Sequence, residues 1–189
     1  MSVLPTGLTK PASGYTIDNS CRFDKASTSY LSRTPSSAGN RKTWTWSGWL
    51  KLGKLSSQMG TYSMIFGQVT GTPSNGLWID DNDRIYIWVD GGVKRISTLK
   101  LRDPNAWYHI VMAVDTTSGT AAYRFRVYIN NVEVTSWSTD NAITQNNDLG
   151  VNASGSLMTI GKRQSEDYYD GLMAEIHFID GTQLTPSSF

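Results

Sequence analysis

The sequence predicts an all-β chain folded as one antiparallel sandwich, and three observations predict it. Apolar and polar residues alternate with period two through most segments from Thr43 onward. Glycine and asparagine turns separate those segments at the short spacing of an all-β domain. Helix start signals are scarce, the one persuasive case being Thr185 as a cap with Pro186 at the first helical position.

The elements follow in order. In TWTWSGWLKL, Trp44, Trp46, Gly48 and Leu50 fall on one face and Trp49 interrupts the polar face. From Arg84 to Val89, Ile85, Ile87 and Val89 point inward while Tyr86 and Trp88 point the other way. In WYHIVMAVD, Tyr108, Ile110, Met112 and Val114 share one face, and His109, Val111 and Ala113 share the other. Apolar residues on both faces predict a central strand whose outer side is covered, by loops or by a partner subunit. Phe125, Val127 and Ile129 alternate with Arg124, Arg126 and Tyr128. Asn130-Asn131 then tolerates the positive φ of a tight hairpin turn, and Val132, Val134 and Ser136 begin the return strand. Two late strands are LMTIGKR from Leu157 and GLMAEIHFIDG from Gly171, with Leu172, Ala174, Ile176 and Phe178 inward. The polar stretch 138–155 is long for a hairpin connection, which predicts a functional or mobile loop. The organisation expected is an N-terminal arm over 1–19 with a first strand, then one sandwich domain over 20–189 that continues into a further domain in a longer protein.

Composition bounds the function. At 189 residues the chain buries about 68–70% of its unfolded surface and needs no metal or disulfide to hold together. Cys21 is the sole cysteine, so no internal bridge forms, and it reads as a small buried side chain. The formal net charge is +1, and the best basic candidates, Lys94 with Arg95 and Arg124 with Arg126, are short and lie inside strand patterns, so no nucleic-acid-binding stripe is present. No segment has the apolar length of a membrane-spanning helix. MSVLPTGLTKP lacks the apolar core of a signal peptide.

With these strands placed, the chain resembles the laminin-G-like, concanavalin A-like jelly-roll superfamily. The ordered motifs that carry the resemblance are CRFDKASTSYLS, TWTWSGWLK, GLWIDDNDRIYIWVDGG, WYHIVMAVDTTSG, RVYINNVEV, LMTIGKR and YYDGLMAEIHFIDGTQLTPSSF. The strings YTIDNSCRFDKASTSYLSRTPSSAGNRKTWTWS, WYHIVMAVDTT and AEIHFIDGTQLTPSSF further resemble structural proteins of tailed bacteriophages, marine ones especially. That resemblance implies a virion module of a fibre, tail or capsid decoration. Such a module is made in the host cytoplasm without a signal peptide, associates with its own copies and docks to other particle proteins. The alternative it leaves open is a lectin-like module that recognises host surface glycans.

No catalytic constellation is legible. Glycosidases of this architecture need paired carboxyl groups across the bond, and relatives carry Glu-x-Asp-x-Glu on one strand. Here the glutamates are Glu133, Glu166 and Glu175, none in such a motif. No Gly-x-Ser-x-Gly elbow or phosphate-binding loop occurs, and His109 and His177 lack further zinc ligands in the sequence. No cofactor is expected, with calcium the exception weighed: Asp80, Asp81 and Asp83 in IDDNDR supply three carboxylates for a hard cation, against the simpler reading of a solvated turn. Seven tryptophans and nine tyrosines mostly fill strands. Trp49, Trp78, Trp88, Trp137, Tyr168 and Tyr169 are the candidate contacts to a glycan or a protein partner. Core packing is the simpler reading for any one of them. The loops 116–121 and 138–155 would add amide and hydroxyl groups.

Overall fold

A computed structural model describes residues 18–69, 75–89, 91–163 and 166–189. Most of the predicted N-terminal arm therefore lies outside the described residues. Two antiparallel sheets form the sandwich. The six-stranded sheet runs β1 (Cys21–Phe23), β13 (Gly171–Asp180), β3 (Thr43–Leu52), β8 (Trp107–Asp115), β9 (Phe125–Ile129), β10 (Val132–Glu133). The seven-stranded sheet runs β11 (Trp137–Asp140), β7 (Gly92–Lys100), β6 (Arg84–Val89), β5 (Asn75–Ile79), β4 (Ser63–Val69), β12 (Leu157–Ile160), β2 (Leu31–Arg33). A single helical turn, α1 (Ser56–Met59), precedes β4, and a 3-10 turn at Pro186–Ser188 follows the last strand with Pro186 in its first turn.

Alternation sends one side chain in two to the layer between the sheets. Trp44, Trp46 and Leu50 of β3, Ile110, Met112 and Val114 of β8, Phe125 and Val127 of β9, and Ile85, Ile87 and Val89 of β6 all lie there, as expected. The hairpin after β9 turns on Asn130 and Asn131 at φ 49° and 69°, the left-handed pair that a two-residue turn requires.

Three expectations need correction. In β13, Met173 rather than Leu172 or Ala174 is in the inter-sheet layer, while Ile176 and Phe178 pack inward as expected. The cause is a register shift against β3 between Ala174 and His177, where Glu175 takes φ 47°. A bulge adds one residue, so a strict alternation that is right after it is wrong before it. Cys21 is exposed, because β1 is an edge strand with a neighbour on one side only. The stretch 138–155 is tied down: Ile143, Leu149 and Val151 are buried in the core, and Asn146 and Leu149 donate backbone hydrogen bonds to Thr116 and Arg41.

The outer face of the six-stranded sheet is covered by the chain itself. Thr45 Oγ1 donates to the Thr182 carbonyl (2.7 Å) and accepts from the Leu184 N–H (2.8 Å). Gln183 Nε2 donates to the carbonyls of Ala113 and Tyr123. Beneath this tail His109 meets Ser47 Oγ through Nε2 at 2.9 Å and stacks on Trp49. Burial pulls the His109 imidazole below its ordinary range, reinforced by His177 and opposed by a hydrogen bond with Asn131.

Candidate functional site

The outer face of the seven-stranded sheet carries the largest gathering of aromatic rings outside the core. Trp78 of β5 and Tyr86 and Trp88 of β6 point outward because they alternate with Leu77, Ile79, Ile85, Ile87 and Val89, which fill the core. Tyr62, just before β4, meets the Tyr86 ring edge-on at 5.1 Å. Tyr86 stands parallel to Trp88 at 6.4 Å, and Trp78 packs edge-on to Tyr86 at 6.2 Å. Met64, Val93 and Ile96 complete this layer. Trp78 and Tyr86 form its buried floor, and Tyr62 and Trp88 are half-buried, so the face offers solvent parts of two rings on a packed base. The Trp78 indole N–H has no hydrogen-bond partner among the described residues.

One end of this shelf is polar. The turn Asp80–Arg84 borders it, and Asp167 lies beside it, its carbonyl accepting from the Met64 N–H. Asp167 accepts from Thr61 Oγ1 (3.0 Å) and pairs with Arg163 (3.2 Å). Burial raises the Asp167 carboxyl above the usual range, opposed by Arg163 and Thr61. Burial likewise pushes the Tyr86 phenol up to about 12, with Tyr62 and Asp80 adding to it. Tyr62 is raised for the same first reason, with Asp81 and Asp80 contributing.

The other candidates are dispersed. Trp137 lies under the Arg95 guanidinium at the β7–β11 edge, 5.1 Å from ring to charge. Trp49 sits on the opposite sheet against His109. Tyr168 and Tyr30 flank the Lys162 ammonium, at 5.7 and 4.0 Å. Tyr169 is a core residue, not a contact: it is fully buried, edge-on to Phe23, and its hydroxyl donates to the Lys51 carbonyl at 2.9 Å. Tyr62 was missed by sequence reasoning. It lies outside the strand patterns, and only the meeting of β4 with β5 and β6 brings it to Trp78 and Tyr86.

In IDDNDR two of the three carboxylates are already engaged. Asp80 accepts from the N–H groups of Asn82 (3.0 Å) and Arg84 (2.8 Å) and from the Arg84 guanidinium. Asp83 accepts from the Ser57 N–H and hydroxyl and pairs with Arg102 at 3.1 Å. Both carboxylates are buried and their lone pairs are engaged, leaving Asp81 alone toward solvent. Among the described residues no group of three or more His, Cys, Asp or Glu could hold a metal ion. The arginines of the basic pairs are engaged: Arg95 with Asp140, Arg124 with backbone carbonyls, and Arg126 with Glu133.

A second concavity, about 260 Å³, opens between β2, β12 and β13. Trp46, Phe66, Met158, Ile160, Ile176 and Phe178 give it mainly apolar walls, unsuited to a hydroxyl-rich ligand.

The fold defines a concanavalin A-like domain. The family described as the concanavalin A-like lectin/glucanases superfamily matches residues 25–187, and the chain belongs to it. No curated protein matches the chain. Among solved structures it is similar to domain 4 of AbnA, an extracellular arabinanase of Geobacillus stearothermophilus, in complex with arabinotriose (18% identity, TM-score 0.55, 89% of this chain and 73% of that one). It is similar to a heptameric SAP-like pentraxin of Limulus polyphemus (12% identity, TM-score 0.51, 79% and 68%). It is also similar to Trypanosoma rangeli sialidase (14% identity, TM-score 0.52), covering 76% of this chain but only 21% of the sialidase. At these identities the likeness is one of fold.

Proposed function

We propose that this chain is a non-catalytic carbohydrate-binding module that takes sugar on the outer face of its seven-stranded sheet. The observation that carries the reading is the shelf of Tyr62 and Trp88, half-open, on a buried floor of Tyr86 and Trp78 and edged by hydrogen-bonding groups. A sugar ring has an apolar face that such rings can cover and hydroxyls that such an edge can receive. Pre-packed rings lose little side-chain freedom on binding. Membership of the superfamily and the arabinotriose-bound relative support the reading. A non-catalytic role is supported by the placement of the glutamates: Glu133 on β10 is clamped by Arg126, Glu166 by Arg163, and Glu175 sits at the β13 bulge.

Binding is tested on a glycan array and then by titration of the strongest hit. Trp88→Ala should weaken it at least tenfold, about 1.4 kcal/mol, while still unfolding cooperatively at a midpoint a few degrees lower, since a half-buried ring is lost from the outer layer. An array blank for every glycan, or full affinity in Trp88→Ala, would refute the assignment. Carriage on a bacteriophage particle is a second reading, favoured by the motif strings that resemble phage structural proteins. There the module would serve as fibre, tail or capsid decoration, assembled with its own copies and other particle proteins. Absence of the protein from purified particles by mass spectrometry would exclude it.

A further inference from the structure

This inference rests on the carbohydrate reading of the same face and narrows its ligand class. We propose that the shelf accepts uncharged or cationic sugars and excludes anionic ones, because every guanidinium at its polar end is already paired while a carboxylate stands free there.

The groups at that end can be followed one by one. Arg84 donates through Nε and a terminal nitrogen to Asp80, at 2.8 and 2.7 Å. Arg163 is divided between Glu166 and Asp167. Lys162, next to it, is taken up by the rings of Tyr30 and Tyr168. A sugar carboxylate is best received by an unengaged guanidinium in the two-pronged geometry that fits it, and no such group borders the shelf among the described residues. Of the carboxylates there, Asp80 is held by Arg84, and Glu166 and Asp167 by Arg163, with Lys25 also acting on Asp167. Asp81 is exposed, with Asn82 Nδ2 donating to it at 3.0 Å and no cation paired to it among the described residues. Behind burial, the first cause, Asp81 and Asp80 both disfavour ionisation of the Tyr62 phenol, opposed by Arg84. An incoming uronate or sialate would meet like charge with no partner to offset its lost hydration, whereas an amino sugar would meet a carboxylate. The neighbouring sialidase fold thus carries no implication that this face takes sialic acid.

An array carrying neutral, amino, uronic and sialylated glycans tests the proposal, followed by titration of the best neutral hit against its uronate counterpart on the same backbone. Hits are expected only among uncharged and amino sugars, and the uronate counterpart should bind at least tenfold more weakly at low salt. The gap should narrow in about 0.5 M salt, where exposed charges are screened, and in Asp81→Asn. A uronate or sialylated glycan bound as tightly as its neutral counterpart overturns this inference and leaves carbohydrate binding standing. A blank array overturns the carbohydrate reading beneath it.

Discussion

Truncating Met173 and Leu172, neighbours on β13, gives opposite results if the bulge at Glu175 sets the strand phase. Met173 is fully buried between the sheets, opposite Leu50 of β3 and Cys21 of β1. Met173→Ala removes the equivalent of about three buried methylene-sized groups, roughly 2–3 kcal/mol at ~0.8 kcal/mol each. The cavity between two rigid sheets adds to this, so a total of about 3–4 kcal/mol is expected, within the usual range of about 2–5 for such core truncations. Leu172 is only half-buried and faces the outer side, so Leu172→Ala should cost less than about 1 kcal/mol. For a domain of this size each kcal/mol moves the thermal midpoint by about 2–4 °C, so Met173→Ala should melt roughly 6–16 °C lower. Guanidinium titrations of both variants beside the parent measure the difference directly, provided the slopes agree. Equal losses, or a larger loss for Leu172→Ala, would refute the bulge and restore the unbroken alternation of the sequence.

Four further outcomes follow from the same structure. Glu175 holds φ 47°, so Glu175→Val should cost more than about 1 kcal/mol, because a β-branched residue is strained there, while Glu175→Gly should not destabilise; denaturant midpoints decide. His109 has a folded pKa below its unfolded value, chiefly through burial, so the unfolded chain binds the extra proton first. Stability should be full above about pH 6.5 and fall as pH drops from there toward the lower folded value, and His109→Gln should flatten that slope in pH-dependent melting curves. Asp83→Ala should cost about 1–3 kcal/mol, since it removes the hydrogen bonds of a buried carboxylate to Ser57 and Arg102, both of which can turn to water, and puts alanine at φ 64°. Melting curves in chelator and in millimolar calcium should coincide, and a calcium-dependent midpoint would show that the engaged carboxylates reorganise around an ion.

Much of the fold was legible in the residues. The alternations in β3, β6, β8 and β9 put Trp44, Ile87, Met112 and Val127 on the inner face because period two is a property of the extended backbone itself. The covered outer face of β8 was legible too, from Val111 and Ala113, although not its cover. Candidate ring positions were legible only as a set. Trp78 and Trp88 were in it, but so were Tyr169, which is core, and Trp137, which lies under Arg95.

The sequence by itself determined the β-sandwich, the phase of its unbroken strands and the Asn130-Asn131 turn, since each depends on residues near one another along the chain. The tertiary structure alone decided the rest. It placed Tyr62 beside Tyr86, consumed Asp80 and Asp83 in contacts with Arg84, Ser57 and Arg102, and folded Thr182–Phe189 back over β3 and β8. It also shifted the register of β13 at Glu175. These are meetings between segments far apart in sequence, and a side chain's own type does not say which distant partner will reach it first.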